Sequence, residues 1–141
     1  MLFPSPMPIP SQLARGDDAL ALALFYDQIG GDLADVRKRL VTDERIDKFV
    51  RIFLSDETYA ALEHAFENGL SEPAFRAAHT LKGVGRDLGF TALSQCASDL
   101  TEALRADEAG VYGNMEEAAE LYARVRAAYA DIVAAMPLLD A

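Results

Sequence analysis

From about Asp17 to Met136 the chain is a series of helix-period apolar runs, closed one after another by glycines and polar capping residues. No stretch reads as a credible strand, and no internal repeat is present. Apolar residues recurring every three to four positions line one face of a helix. A chain written in that pattern alone must bury its stripes against one another, so the expected fold is all-α. Alanine and leucine dominate while β-branched residues are sparse, which favours helix throughout.

The punctuation divides the runs. A first helix over about Asp17 to Ile29 carries Leu20, Leu24 and Phe25 among its apolar positions and ends at Gly30-Gly31. Asp32 to Leu40 forms a short second helix. A third, from about Asp43 to Leu54, buries Ile46, Phe49, Val50 and Phe53. Ser55-Asp56 caps a fourth from Glu57 to Asn68, with Tyr59, Leu62 and Phe66 inward and Gly69 as its stop. Ser71 caps a fifth, which tolerates Pro73 in its first turn and runs to about Leu88 before Gly89 stops it. Thr91 caps a sixth to about Ala106, with Leu93, Ala97, Leu100 and Leu104 inside. Asp107 to Gly113 is a loop, and Asn114 with Glu117 makes a capping box for a last helix to about Met136, before Pro137. Long helices joined by short turns predict an antiparallel up-down four-helix bundle with additional short helices at the N-terminal end.

At 141 residues the chain suits one domain. Prolines at alternate positions from Pro4 to Pro10 dictate an extended arm, so residues 1–16 are expected as a Pro-rich N-terminal arm and 17–141 as the helical domain. A net charge of −10 argues against nucleic acid or an anionic membrane as the main partner, since both demand clustered cations. Cys96 stands alone, which rules out an intramolecular disulfide and a cysteine-based zinc cluster, and its helical setting makes it a small core residue. The first ten residues lack the basic start of a signal peptide, and no segment approaches the roughly 20 apolar residues of a membrane span. The expected location is cytoplasmic.

The chemistry concentrates in the fifth helix. At about 100° per residue, with Leu81 at zero, Ala74, Ala77, Ala78, Val84, Gly85 and Leu88 all fall within roughly 60° and form an unbroken apolar stripe. His79 lies at about 160°, almost opposite, among Phe75, Arg76, Lys82, Gly83 and Arg86. Arg76 and Lys82 flank it at i−3 and i+3. An interior glycine costs about 1 kcal/mol relative to alanine, and this helix carries two. Gly85 faces the core and is expected to admit a neighbouring helix. Gly83 faces water, where clearance for an incoming partner is the explanation that packing does not supply. An imidazole near neutral pH offers a nucleophilic ring nitrogen, and Lys82 and Arg86 offer positive charge to a phosphorylated state. Thr101, Ser98 and Gln95 on the next helix are all candidates to hold the other ring nitrogen. His64, set among acidic residues with no nearby glycine, reads as an ordinary surface histidine.

The run Ala78-His79-Thr80-Leu81-Lys82-Gly83, followed by Leu88-Gly89-Phe90, resembles the signature of histidine-containing phosphotransfer (HPt) domains, in which a helix carries H-x-L-K-G and a Leu-Gly pair follows. Ile29-Gly30-Gly31-Asp32, the run Arg45 to Leu54 and Leu100 to Arg105 are also similar to small stand-alone proteins of that family, so the resemblance covers about residues 20–136. The family often has two small residues after Lys-Gly; here Val84 precedes Gly85, pointing coreward on the wheel.

The resemblance implies a four-helix bundle whose exposed histidine shuttles phosphoryl groups between receiver domains of a two-component phosphorelay. His79 matches the phosphorylated position, Lys82 the lysine that steadies the phosphoryl group, and Gly83 the glycine that admits the receiver. Expected partners are response-regulator receiver domains and a hybrid histidine kinase. Mg²⁺ and carboxylates are expected from the receiver, and the chain itself is expected to act as a monomer with no cofactor. No G-x-x-x-x-G-K-[ST] loop is present, so use of ATP by this chain is not expected. Two other readings stay open at this stage: a phosphoacceptor module of a chemotaxis-type histidine kinase, and an adaptor that binds receivers without being phosphorylated.

Overall fold

The computed structural model describes residues 11–140, with side chains from residue 18 onward. Its elements are all helical among those residues: α1 (Ser11–Ile29), α2 (Leu33–Leu40), α3 (Asp43–Ser55), α4 (Thr58–Glu67), α5 (Ser71–Asp87), α6 (Thr91–Leu104), α7 (Met115–Ala135) and α8 (Pro137–Asp140). No described helix is long and apolar enough to cross a membrane. The proline-rich stretch Pro4 to Pro10 lies outside the described residues. The last residues assigned to the arm, from Ser11, are helical, because α1 starts upstream of the expected Asp17.

Three helices end in the same way. Gly30, Gly69 and Gly89 have φ of +65°, +65° and +70°, the left-handed conformation that terminates a helix cheaply only at glycine. The residue after each glycine donates back across the last turn: Gly31 to Tyr26 O at 2.8 Å, Leu70 to Ala65 O at 2.8 Å and Phe90 to Gly85 O at 2.8 Å. These bonds satisfy carbonyls that the helix end leaves orphaned. They also displace two expected caps. Leu70 and Phe90 serve as the N-cap residues of α5 and α6, without side-chain hydrogen bonds, so Ser71 and Thr91 are the first helical residues instead of the caps. Asn114 caps α7 as expected, its Oδ1 accepting from Glu116 N at 2.8 Å and Glu117 N at 3.1 Å. The cap expected at Ser55-Asp56 shifts too: Ser55 is the last residue of α3, Glu57 is the N-cap residue of α4 without a side-chain bond, and Asp56 accepts from Thr58 N at 3.4 Å.

Two apolar assignments on α1 differ from expectation. Leu20 and Leu24 are exposed, while Leu22, Phe25 and Tyr26 are buried. The periodicity of α1 is weak because apolar residues occupy nearly every position from Ala19 to Tyr26, so composition alone does not choose the inward face. Elsewhere the stripes hold. Leu93, Ala97, Leu100 and Leu104 of α6 are fully buried, as are Ile46 and Val50 of α3 and Leu62 of α4. Phe49, Tyr59 and Phe66 are half-buried and pack on the core's margin.

The helices after α3 pack in chain order, α4 on α5, α5 on α6 and α6 on α7. Aromatic pairs close the cycle between α4 and α7: Tyr59 stacks on Tyr129 at 3.9 Å, and Phe66 on Tyr122 at 4.1 Å. The pairs run in opposite order along the two helices. A second aromatic cluster, Phe25, Tyr26, Phe53 and Phe90, fills the space under the α5–α6 turn.

The two N-terminal helices anchor the C-terminal end of α5. Tyr26 donates to Leu88 O at 2.6 Å, Arg39 Nη2 to Arg86 O at 3.0 Å and Asp87 O at 2.9 Å, and the Asp32 N–H to Gly89 O at 2.8 Å. A guanidinium at these carbonyls also complements the negative end of the helix dipole. At the other end of the chain Pro137 opens α8 in place of ending the structure. Arg51 holds that short helix to α3, reaching Asp140 Oδ1 at 2.7 Å and Asp47 Oδ2 at 2.9 Å.

Candidate functional site

The α5 wheel translates directly into burial. Ala74, Ala77, Ala78, Leu81 and Gly85 are buried, Leu88 is buried at the helix end, and Val84 is half-buried. His79 and Arg76 are exposed on the far face, with Arg86, while Lys82 and Gly83 are half-exposed. The apolar stripe therefore fixes the rotation of α5, and that rotation presents His79 to solvent.

The two glycines of α5 have different surroundings. A Cβ added at Gly85 would lie 3.3 Å from the backbone nitrogen of Ser94 and 3.4 Å from its Cα, so the missing side chain lets α6 approach. Ser94 Oγ donates to Lys82 O across this contact at 3.3 Å. A Cβ at Gly83 would meet nothing within 4 Å. No packing inside the described chain accounts for that glycine.

The cations around His79 are not equivalent. Arg76 is tied to Glu72, with Nη2 2.6 Å and Nε 3.0 Å from Oε2, and this pairing holds the guanidinium's pKa above its ordinary value. Arg86 lies 4.0 Å from Asp87, with both side chains exposed. Lys82 pairs with no carboxylate among the described residues, in contrast to Arg76, Arg105 and Arg39. It lines an open polar cleft of about 360 Å³ between α2, α5 and α6, together with Arg86, Ser94, Gln95 and Ser98.

The candidates for orienting the ring separate. Thr101 is fully buried, and its hydroxyl donates to Ala97 O on its own helix at 2.6 Å. Its polarity is thus spent one turn back, away from the exposed imidazole. Ser98 and Gln95 line the Lys82 cleft. The ring beside His79 is Phe75, parallel to it within 7° and offset, with centroids 6.1 Å apart. Three neighbours of this cluster lie far along the chain and escaped the sequence reading: Glu102, Arg105 and Tyr112. Arg105 places its guanidinium 5.4 Å from the Phe75 centroid, and Tyr112 meets Phe75 at 5.6 Å. The hydrogen bond from Arg105 holds the Glu102 carboxyl below the usual carboxylate range, with the charges of Arg105, Lys82 and His79 acting in the same direction. Glu102 therefore lies in the field of the α5 polar face. His64, by contrast, is engaged on its own helix, where Asn68 Nδ2 sits 3.2 Å from its Nδ1.

An imidazole standing on an exposed helix face, with a lysine and an empty glycine position within one turn, fits a carrier that meets another protein. Residues 21–135 match the family model of the Hpt domain, and the chain belongs to that family. It thus has a histidine phosphotransfer role in phosphorelay; Hpt domains as a family interact with receiver domains and kinases. Neither a curated protein nor a solved structure matches the chain.

Proposed function

We propose that His79 is the phosphoacceptor of this Hpt domain, taking a phosphoryl group from a phospho-aspartate on one response-regulator receiver domain and handing it to another. The platform in this reading is an antiparallel four-helix bundle of α4 to α7, buttressed by α1 to α3. The transfer is a displacement at phosphorus. A ring nitrogen forms the N–P bond as the acyl-phosphate P–O bond breaks, and the aspartate carboxylate leaves with the bonding pair. Lys82 neutralises the oxygens of the transferring group, and Arg86 extends the positive field. The receiver contributes Mg²⁺ and its own carboxylates. ATP is not a substrate, and the protein acts as a monomer in the cytoplasm.

The observation that carries this reading is Gly83. It stands one turn beyond His79, on the exposed face of α5, at a position where a side chain would meet only open space. Helix stability argues for alanine there. A partner surface that must close over the imidazole argues for glycine.

Incubation with a phosphorylated receiver and Mg²⁺ tests it. The wild type is expected to acquire acid-labile, alkali-stable phosphate that His79→Gln does not. Equal labelling of His79→Gln would move the acceptor elsewhere. Labelling only by ATP with a separate kinase core, and by no receiver, would identify a kinase phosphoacceptor module instead.

A further inference from the structure

Phe75 occupies the exposed face of α5, where a partner contact is the first explanation for an aromatic ring. Its surroundings give another. The ring is half-buried and has three partners within the chain: His79 one turn on, Tyr112 from the α6–α7 loop, and the guanidinium of Arg105 at the end of α6. Arg105 is itself paired, with Nη2 2.7 Å from Glu102 Oε2 and Nε 3.3 Å from each carboxylate oxygen. The side chains therefore follow one another in the order Glu102, Arg105, Phe75, His79.

An exposed histidine on a helix has several accessible rotamers, and in-line attack at phosphorus tolerates few of them. A planar neighbour lying parallel to the imidazole favours one orientation. That neighbour is useful only if it is held in turn. The Arg105 guanidinium against the Phe75 ring supplies a cation–π contact, and the ion pair with Glu102 keeps the guanidinium in place.

We infer that Phe75 and Arg105 are positioning residues for His79, Arg105 bracing Phe75 and Phe75 fixing the orientation of the imidazole. The inference rests on His79 being the phosphoacceptor.

Phosphoramidate separates positioning from docking, because it is a small donor that makes no protein interface. The imidazole nitrogen forms a bond to phosphorus, the donor's P–N bond breaks, and ammonia leaves with the bonding pair. Phe75→Leu is expected to slow His79 labelling by phosphoramidate about three- to tenfold, the range a single aromatic contact accounts for. Phe75→Tyr, which restores a planar ring, is expected to recover the rate. Arg105→Gln should slow labelling as well, and should add little on top of Phe75→Leu if both act through one stack. Wild-type phosphoramidate kinetics in Phe75→Leu, with transfer from a phosphorylated receiver reduced, would overturn the inference and make Phe75 a docking residue. Fully additive effects in the double variant would remove Arg105 from it.

The χ1-sensitive NMR couplings of His79 provide a readout independent of phosphorylation. They should report one rotamer in the wild type and averaging in Phe75→Leu or Arg105→Gln. Averaged couplings in the wild type itself would refute positioning even if neither variant folded well. Should the wild type accept no phosphoryl group at His79 while its couplings report one rotamer, the proposed acceptor fails and the structural stack survives.

Discussion

Gly83 and Gly85 stand two residues apart on α5 and omit a side chain for opposite reasons. At Gly85 a Cβ would stand tight against the backbone of Ser94, at 3.3 and 3.4 Å; at Gly83 the space is open. One glycine serves the packing of α6, and the other serves nothing inside the described chain. In the proposed reading, that contrast separates stability from function on a single helix.

Gly83→Ala is expected to raise stability by about 1 kcal/mol, since the new methyl group improves helix propensity and meets no neighbour. The same substitution should impair phosphoryl transfer from a receiver, and Gly83→Leu should impair it about tenfold or more. Urea denaturation and receiver-dependent labelling measure the two effects. A stabilised Gly83→Leu with undiminished transfer would refute the clearance argument.

Lys82→Ala should leave the thermal midpoint nearly unchanged, because the side chain enters no ion pair among the described residues and stands over an open cleft. Transfer or phosphohistidine lifetime is expected to fall about tenfold, the equivalent of ~1.4 kcal/mol of lost charge-assisted contact. Rapid-quench labelling followed by chase decides it, and unchanged kinetics would take Lys82 out of the mechanism.

Gly89→Ala strikes the turn that anchors α5. Its φ of +70° disfavours any L side chain, and a Cβ there would lie 2.6 Å from Asp32 O and run into the Val36 side chain. Val36 lies in α2 and Asp32 is the residue that caps that helix, and the Asp32 contact is backbone. A loss of about 2–4 kcal/mol is expected in equilibrium unfolding. A loss below 1 kcal/mol would mean that α2 yields easily and does not brace the α5–α6 turn.

Tyr26 makes the fold sensitive to alkali. Burial pushes its phenol above the ordinary value, opposed by the nearby charge of Arg39, and burial likewise raises Tyr59, Tyr122 and Tyr129. Below pH about 10 these groups are protonated in both states and their stabilisation is complete. As pH rises further, the unfolded chain releases protons that the folded chain retains, so stability falls through the raised values. Tyr26→Phe should be about 1 kcal/mol less stable at pH 7, having lost the bond to Leu88 O, yet decline less steeply above pH 10. An equally steep decline would show that Tyr26 is not the dominant group.

Much of α5 is legible in the spacing of its residues. A stripe of Ala74, Ala77, Ala78, Leu81 and Gly85 admits one rotation, and every one of those residues is buried. Gly30, Gly69 and Gly89 were legible as stops because few other residues take positive φ without strain. Ser71 and Thr91 misled as caps because local preference is only one demand on such a position. The hydrogen-bonded turns after Gly69 and Gly89 run straight into the next helix and leave Leu70 and Phe90 at the cap. On α1, nearly continuous apolar sequence concealed which face packs, and Leu20 and Leu24 point outward.

Residue spacing along the chain already makes it helical, marks where most helices stop, and turns His79 away from the core beside Lys82 and Gly83. These properties depend on the spacing of residues along one helix, which periodicity and backbone chemistry express locally. The contacts of Arg105 and Tyr112 with Phe75, the turn of the Thr101 hydroxyl to Ala97 and the closure of α5 by Arg39 come from how the helices pack. Apolar spacing states that a face is buried but not which face of which helix lies against it. That choice belongs to the packing of whole helices, where crossing and offset follow from side-chain shapes on both partners.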